Sequence, residues 1–343
     1  MLFISRKNLL LLHLFIAAIS CLPAQPNVSA SIEKIPASLI SPPYLKPGDT
    51  VAIVSPSGVL KNREEHIARG IALMESWGLN VVLGKNLYKT DNHFAGTDEE
   101  RAADMQWALD NPSIKAIWSS RGGYGTVRIL DKLDYTEFKK HPKWVIGYSD
   151  ITALHLDIHN LGYQTIHAMM GTSLGEDQED MEETISTFKK TLLGEKLEYH
   201  LDGSDYNRTG MSEGELIGGN LTLLHTMLGS RSSINADDKI LFIEDVGEYK
   251  YHIDRMLQSL KRAGYFDHCK GVIVGDFSNM RKNTTEWGSS IEQLILDALK
   301  DYDFPIAFNM PSGHEDDNRA LYFGRLIKLK VTKDETVIEF AKR

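Results

Sequence analysis

Cysteine is scarce in this 343-residue chain: only Cys21 and Cys269 occur, so a disulfide framework cannot be what holds the fold together. Runs of lysine and arginine are missing too. With a formal charge of -9 and a pI near 5.8, a dominant electrostatic grip on nucleic acid is excluded. Internal repeats and low-complexity tracts are absent, and so is the composition of a disordered chain: 42% of the residues are hydrophobic and 25% charged, which supports ample core and two domains. No apolar stretch reaches the length of a membrane span. The longest, Leu9 to Ile19 behind Arg6 and Lys7, has the length of a signal-peptide core instead.

Export is therefore expected, with residues 1–30 as a signal peptide or lipoprotein signal. Val28-Ser29-Ala30 offers small residues for cleavage after Ala30, and Ala18-Ile19-Ser20-Cys21 is a loose lipoprotein box that would leave a lipid on Cys21. Pro23, Gln25, Pro26 and Asn27 follow as a polar linker, which argues against a buried helix of the mature fold. A mature protein would be periplasmic or held at the membrane, with Cys269 as its one body cysteine. That residue precedes the apolar strand at 271–275 and reads as a structural thiol, since nothing in the surrounding pattern points to a stabilised thiolate.

From Thr50 onward, short apolar runs alternate with segments of helical period: strand Thr50–Val54, helix Arg63–Trp77, strand Val81–Leu83, and a helix to Leu109 opened by the capping box Thr97 with Glu100. Strand Ile114–Trp118 comes next. Strand followed by helix, repeated, predicts a parallel sheet covered by helices over residues 43–200. A polar linker is expected at 201–212. Residues 213–343 read as a smaller, β-rich domain with strands near 215–217, 240–243, 272–274, 326–331 and 337–340 and helices at 221–228, 253–260 and 291–299.

Chemistry concentrates where strands end. In Lys143–His159 (KWVIGYSDITALHLDIH), an apolar run, Gly147 and a helix with apolar Ile151, Leu154 and Ile158 bracket Ser149, which sits at the corner where a nucleophile's hydroxyl projects from the sheet. The second glycine of a G-x-S-x-G elbow is missing, so a simple N-cap role competes. Strand Ile114–Trp118 runs into Ser119-Ser120-Arg121-Gly122-Gly123-Tyr124-Gly125. This turn has neither G-x-G-x-x-G nor a G-K-[ST] ending, so nucleotide binding is a poor reading. Its glycines allow close backbone approach and an N–H for an oxyanion, and Arg121 suits a carboxylate. Glu244 ends the buried run Ile240–Ile243, and His314 lies in the loop Met310–Glu315; with Ser149 they have the makings of a Ser–His–Glu set. Taken singly, Glu244 has a cap or a pair with Arg255 as its alternative, and His314 an ordinary exposed position. His155 and His159, four apart with Asp157 between them, raise a metal site, but H-L-D-I-H lacks the glutamate of H-E-x-x-H, and no metal or other cofactor is expected.

The whole pattern resembles the LD-carboxypeptidase family of serine peptidases, the murein tetrapeptide carboxypeptidases and microcin C immunity peptidases. The resemblance runs from Pro43 to Phe340 and is carried by Ser55-Pro56-Ser57-Gly58, Arg121-Gly122-Gly123-Tyr124-Gly125, Gly147-Tyr148-Ser149-Asp150, Gly218-Gly219-Asn220-Leu221, Glu244-Asp245-Val246-Gly247-Glu248 and Gly313-His314. It implies an amidotransferase-like α/β domain plus a smaller β-rich domain, with the site at their junction. It also implies Ser149 as nucleophile, His314 as base, Glu244 as its orienting acid with Glu248 as competitor, and the N–H groups of Gly123 and Asp150 as oxyanion hole. Arg121 and Gly122 would line the substrate site, and Asp316 and Asp317 are candidates to meet an ammonium group. The reaction implied is hydrolysis of the amide between a diamino acid's L-centre and a terminal D-alanine in a peptidoglycan tetrapeptide. The expected partners are a muropeptide substrate, a possible lipid at Cys21 and a second copy of the chain. The signal-like segment departs from the recycling members, which resemble cytoplasmic enzymes.

Overall fold

A computed structural model of the chain describes residues 39–175 and 181–342. The expected signal segment, the two cleavage positions considered for it and Cys21 lie outside the described residues.

Buried aliphatic runs make the strands, and amphipathic segments between them make the helices. In order, the first part holds β1 (Thr50–Val54), α1 (Glu64–Ser76), β2 (Asn80–Leu83), α2 (Asp98–Asp110), β3 (Ile114–Ser119), α3 (Thr136–Lys140), β4 (Trp144–Gly147), α4 (Thr152–Asn160), β5 (Thr165–His167) and α5 (Glu182–Leu193). The expected capping box is formed: the Glu100 N–H donates to Thr97 Oγ1 at 3.2 Å, and the Thr97 N–H donates to Glu100 Oε2 at 3.0 Å. The second part holds β6 (Glu198–Asp202), β7 (Gly210–Asn220), α6 (Leu221–Thr226), β8 (Lys239–Val246), α7 (Lys250–Arg262), β9 (Gly271–Ser278), α8 (Ile291–Ala298), β10 (Ile306–Ala307), β11 (Leu321–Phe323), β12 (Arg325–Val331) and β13 (Glu335–Phe340).

Two sheets result. The first has the order β11-β5-β4-β3-β1-β2, and only β11 is antiparallel in it; the second has the order β10-β9-β8-β7-β12-β13-β6. In the second, β10, β9, β8 and β7 run parallel, whereas β12, β13 and β6 add an antiparallel half. The fold is thus mixed α/β, with a parallel-rich first sheet as expected. The divide along the chain differs from a simple linker at 201–212: β6 ends at Asp202 inside the second sheet, and β7 begins at Gly210. Leu321–Phe323, from the second half, closes the edge of the first sheet, pairing Leu321 with His167, and the chain re-enters the second sheet at Arg325. The two sheets are therefore stitched together by the chain that follows His314. Among the described residues no helix is long and apolar enough to cross a membrane.

Strands β3, β4, β7 and β8 all send their carboxyl ends toward one region, the place where open parallel sheets put ligands. The segments that follow β3 and β4 carry Gly122 and Ser149, and the last residues of β7 and β8 include Asn220 and Glu244.

Candidate active site

Beyond β4, the backbone turns sharply. A side chain at Gly147 would come within 2.8 Å of Ile151, so only glycine lets the strand run this close to the helix it feeds. Ser149 then adopts φ 59°, a left-handed conformation that a non-glycine residue holds only when its surroundings impose it. The surroundings are visible. Asp150 is buried, and its Oδ2 accepts from Ser57 Oγ at 2.6 Å and from the Thr126 N–H at 2.8 Å. Ser57 also bonds Thr126 Oγ1 at 2.7 Å. The Asp150 side chain thus points inward and locks the Ser149 corner to both the Ser57 turn and the glycine-rich turn. The N-cap alternative for Ser149 is not realised: a short 3-10 turn, Ser149–Ile151, precedes α4, and no side-chain cap bond is made.

The glycine-rich turn is held in its own right. Gly58 N–H donates to Gly122 O at 3.1 Å, and buried Arg101 donates from Nη1 to Pro56 O and Gly125 O while pairing with Asp98. Gly122 is buried against the corner, where a side chain would stand 3.1 Å from Ser149 Cβ, 3.2 Å from Ser149 Oγ and 3.5 Å from the Asp150 nitrogen. The missing side chain leaves open a space that borders both the hydroxyl and a main-chain N–H. Arg121 Nη1 donates to Val59 O at 2.7 Å, and burial, with Arg63 nearby, pulls its basicity down.

From the second sheet, Glu244 emerges fully buried at the end of β8, and its Oε2 lies 2.7 Å from His314 Nδ1. Burial pulls the His314 imidazole down, but the Glu244 charge, the hydrogen bond to it and the fields of Asp245 and Asp276 outweigh that and hold it above its ordinary value. Glu248 does not compete for this ring, because it pairs with His252 one turn along its own segment. The His314 ring packs edge-on against Tyr148, the residue before Ser149, with centroids 5.0 Å apart. Burial, with Glu244 nearby, pushes the Tyr148 phenol up to about 12, so it stays protonated beside the pair. No hydrogen bond joins Ser149 to His314 directly; in unliganded sites such contacts are commonly long and tighten with substrate.

Three groups to which the sequence pattern assigned no role complete the setting. Asn220 ties the halves together: its N–H donates to Thr152 Oγ1 at 3.0 Å, and its amide reaches Asp245 Oδ1 at 3.1 Å. Asp245 also caps the start of α6 through Thr222. His167, fully buried on β5, has neither ring nitrogen bonded and packs 6.0 Å from Tyr148. The signal for Asn220 was present in Gly218-Gly219-Asn220; nothing in the sequence marked His167.

The helical histidines do not assemble a metal site among the described residues. His155 Nε2 is spent on Gly147 O at 2.8 Å, Asp157 accepts from Ser232 at 2.6 Å, and His159 faces Glu215 at 3.3 Å. Burial pulls His155 down to about 4 and His159 down to about 3, so both rings stay neutral core groups. Asp317 is taken by Arg319 through two oxygens, which leaves it poorly placed for an outside ammonium, whereas Asp316 is exposed. Cys269 is buried, donates to Gly271 O at 3.1 Å, and is pushed up to about 11 by burial, as a structural thiol would be.

Comparison with known proteins supplies the family. Residues 51–168 match the LD-carboxypeptidase N-terminal domain model, and residues 213–329 match the LD-carboxypeptidase C-terminal domain model. The chain is 35% identical over 303 residues to a probable murein peptide carboxypeptidase of Bacillus subtilis, covering 87% of this chain and 94% of that protein. It is 30% identical to the murein tetrapeptide carboxypeptidase of Pseudomonas aeruginosa, over 82% of this chain and 92% of that one. Among solved structures, the muramoyltetrapeptide carboxypeptidase from Oxalobacter formigenes matches with TM-score 0.77 and 27% identity, over 85% of this chain and 98% of that one. The microcin C7 self immunity protein MccF matches with TM-score 0.80 and 25% identity, over 88% of this chain and 99% of that one. With both domain models matched in order and the whole described fold shared, the chain belongs to the LD-carboxypeptidase family of peptidases.

Proposed function

We propose that this peptidase is a serine carboxypeptidase that removes the terminal D-alanine from peptidoglycan tetrapeptides, with Ser149, His314 and Glu244 as its triad. The observation that carries the reading is the 2.7 Å bond between His314 Nδ1 and buried Glu244, set beside the strained Ser149 corner. Glu244 fixes the tautomer with the proton on Nδ1, which leaves Nε2 as the base. Nε2 takes the Ser149 proton as Oγ attacks the carbonyl of the diamino acid's L-centre. The N–H groups of Gly123 and Asp150 receive the oxyanion, and Glu244 stabilises the imidazolium. His314 then returns the proton to the D-alanine amine, the C–N bond breaks, and water hydrolyses the acyl-enzyme by the same route in reverse. Gly122 gives the carbonyl room, and Arg121 pairs with the substrate's carboxylate.

On this reading the protein is exported through its first 30 residues, to the periplasm or to a lipid anchor at Cys21, and acts on wall fragments as a homodimer. Sequence identity to the murein enzymes favours the tetrapeptide. The likeness to MccF supports a second reading, a peptidase that cleaves a peptide–nucleotide antibiotic. Mass analysis of a tetrapeptide and an aminoacyl-sulfamoyl adenosine offered together to the mature protein decides between them. Preferential loss of D-alanine supports the first reading. Preferential cleavage of the adenosine conjugate supports the second, and binding of muropeptide without turnover would leave a recognition protein.

A further inference from the structure

Asp276 is an acid outside every motif that pointed to the site, yet it touches the backbone that carries His314. It sits on β9 next to β8, and its N–H donates to Ser312 O at 3.0 Å. Its side chain lies against Gly313: a side chain built there would be 3.0 Å from Asp276 Cβ, 3.2 Å from Asp276 Oδ2 and 3.3 Å from Glu244 Oε2. Gly313, at φ 148°, therefore runs between two acids, and a larger residue would collide with both. On the other side of His314, the Glu315 N–H faces the Asp276 carboxyl and favours its ionised form. Asp276 thus meets the turn on both sides of the imidazole. Its Oδ2 is buried without a hydrogen-bond partner, as is Glu244 Oε1.

We propose that Asp276 is a positioning residue of this site: it holds the 312–315 turn against β9, and its charge sets how tightly the His314 ring keeps a proton. The inference deepens the proposed function and rests on His314 being the base. The charged groups that face Asp276 are Glu244 from β8 and Glu315 and Asp317 from the His314 loop, and the imidazole shares the same space. Burial first, and then these three carboxylates against the Glu315 N–H, push Asp276 up to about 7. It is therefore poised to change charge in the range where a histidine base operates, and when ionised it makes His314 more basic.

The test is a titration of the His314 ring by NMR in the intact protein, alongside kcat/KM against pH, for wild type, Asp276→Asn and Asp276→Ala. Asn keeps an acceptor for the turn and removes the charge; Ala removes both. In both variants the His314 titration moves to lower pH, and the acid limb of activity moves with it. The Ala variant also loses about 10- to 100-fold in kcat, because the ring is less well placed, while the Asn variant loses less. An unchanged His314 titration and an unchanged acid limb in Asp276→Asn overturn the proposal, and this holds even if the Ala variant does not fold. If the ring titration shifts as expected but His314→Ala remains fully active, the Asp276 effect stands and the peptidase mechanism falls.

Discussion

Replacing Gly122 with alanine tests the geometry of the site while every member of the proposed triad keeps its own side chain. The added methyl would lie 3.1 Å from Ser149 Cβ and 3.2 Å from Ser149 Oγ, inside the 3.4–4 Å of ordinary contact, so one neighbour must yield by a few tenths of an ångström. Gly122 itself is not in the left-handed region, so alanine fits its backbone. Ser149 has little freedom to move away, since its φ is already strained and Asp150 is pinned by Ser57 and Thr126. A misplacement of about 1 Å at a reacting group costs roughly 100-fold, so a few tenths should cost about 3- to 10-fold. The methyl also stands 3.5 Å from the Asp150 nitrogen and would crowd the oxyanion, whose loss of one donor is worth about 100- to 1000-fold. The expected result is a fall in kcat of about 3- to 1000-fold, the lower end if only Ser149 is displaced and the upper end if an oxyanion donor is lost, with unfolding stability changed by no more than about 1 kcal/mol. D-alanine release from a tetrapeptide, followed with a thermal melt of the same sample, measures both. A folded variant with kcat within about twofold of wild type would show that the substrate carbonyl reacts elsewhere, because even the smaller of these effects exceeds that.

Other perturbations separate stability from chemistry. Gly229→Ala adds a methyl that meets nothing within 4 Å but forces alanine to φ 75°, so it should lower stability by about 1 kcal/mol and leave turnover alone. Arg101→Ala strips partners from Pro56 O and Gly125 O and leaves Asp98 without its buried cation. Denaturant unfolding should show a loss of about 2–4 kcal/mol, with weakened activity because the glycine-rich turn loosens. pH acts in opposite directions on fold and function. The folded His314 is more basic than the ordinary 6.5, so its contribution to stability is full below about 6.5 and fades as pH rises through the raised value; activity, which needs the neutral ring under the proposed mechanism, is expected to appear over that same rise. Asp276, pushed up from 3.8 to about 7, adds to the trend, since its ionisation is disfavoured in the fold. Unfolding measured from pH 4 to 9 should accordingly show Asp276→Asn matching wild type at the acid end and exceeding it at the alkaline end.

Much of this was legible in the chain because it is written locally. A run such as Thr50–Val54 must be buried on both faces, and Thr97 with Glu100 announces a helix start by itself. The Ser149 corner and the acid at the end of β8 could be read because strands in a parallel sheet end where ligands bind. What could not be read depended on partners far along the chain. Leu321–Phe323 is three residues long, has no usable period, and finds its place only by pairing with β5 some 150 residues earlier. The inward turn of the Asp150 carboxyl required Ser57 and Thr126 to be in position first. Sequence reading left Glu248 as a competitor to Glu244, and what separates them appears only in space: Glu244, within β8, bonds His314, whereas Glu248 pairs with His252. Asp276, in the plain strand sequence Gly-Val-Ile-Val-Gly-Asp-Phe-Ser, gave no signal at all.

The proposed covalent step falls to Ser149, and kcat/KM for D-alanine release by folded Ser149→Ala tests that role most directly. The mechanism predicts a loss of about 1000-fold or more, with the melt unchanged to within a few degrees. A Ser149→Ala protein that still releases D-alanine at the wild-type rate would contradict it.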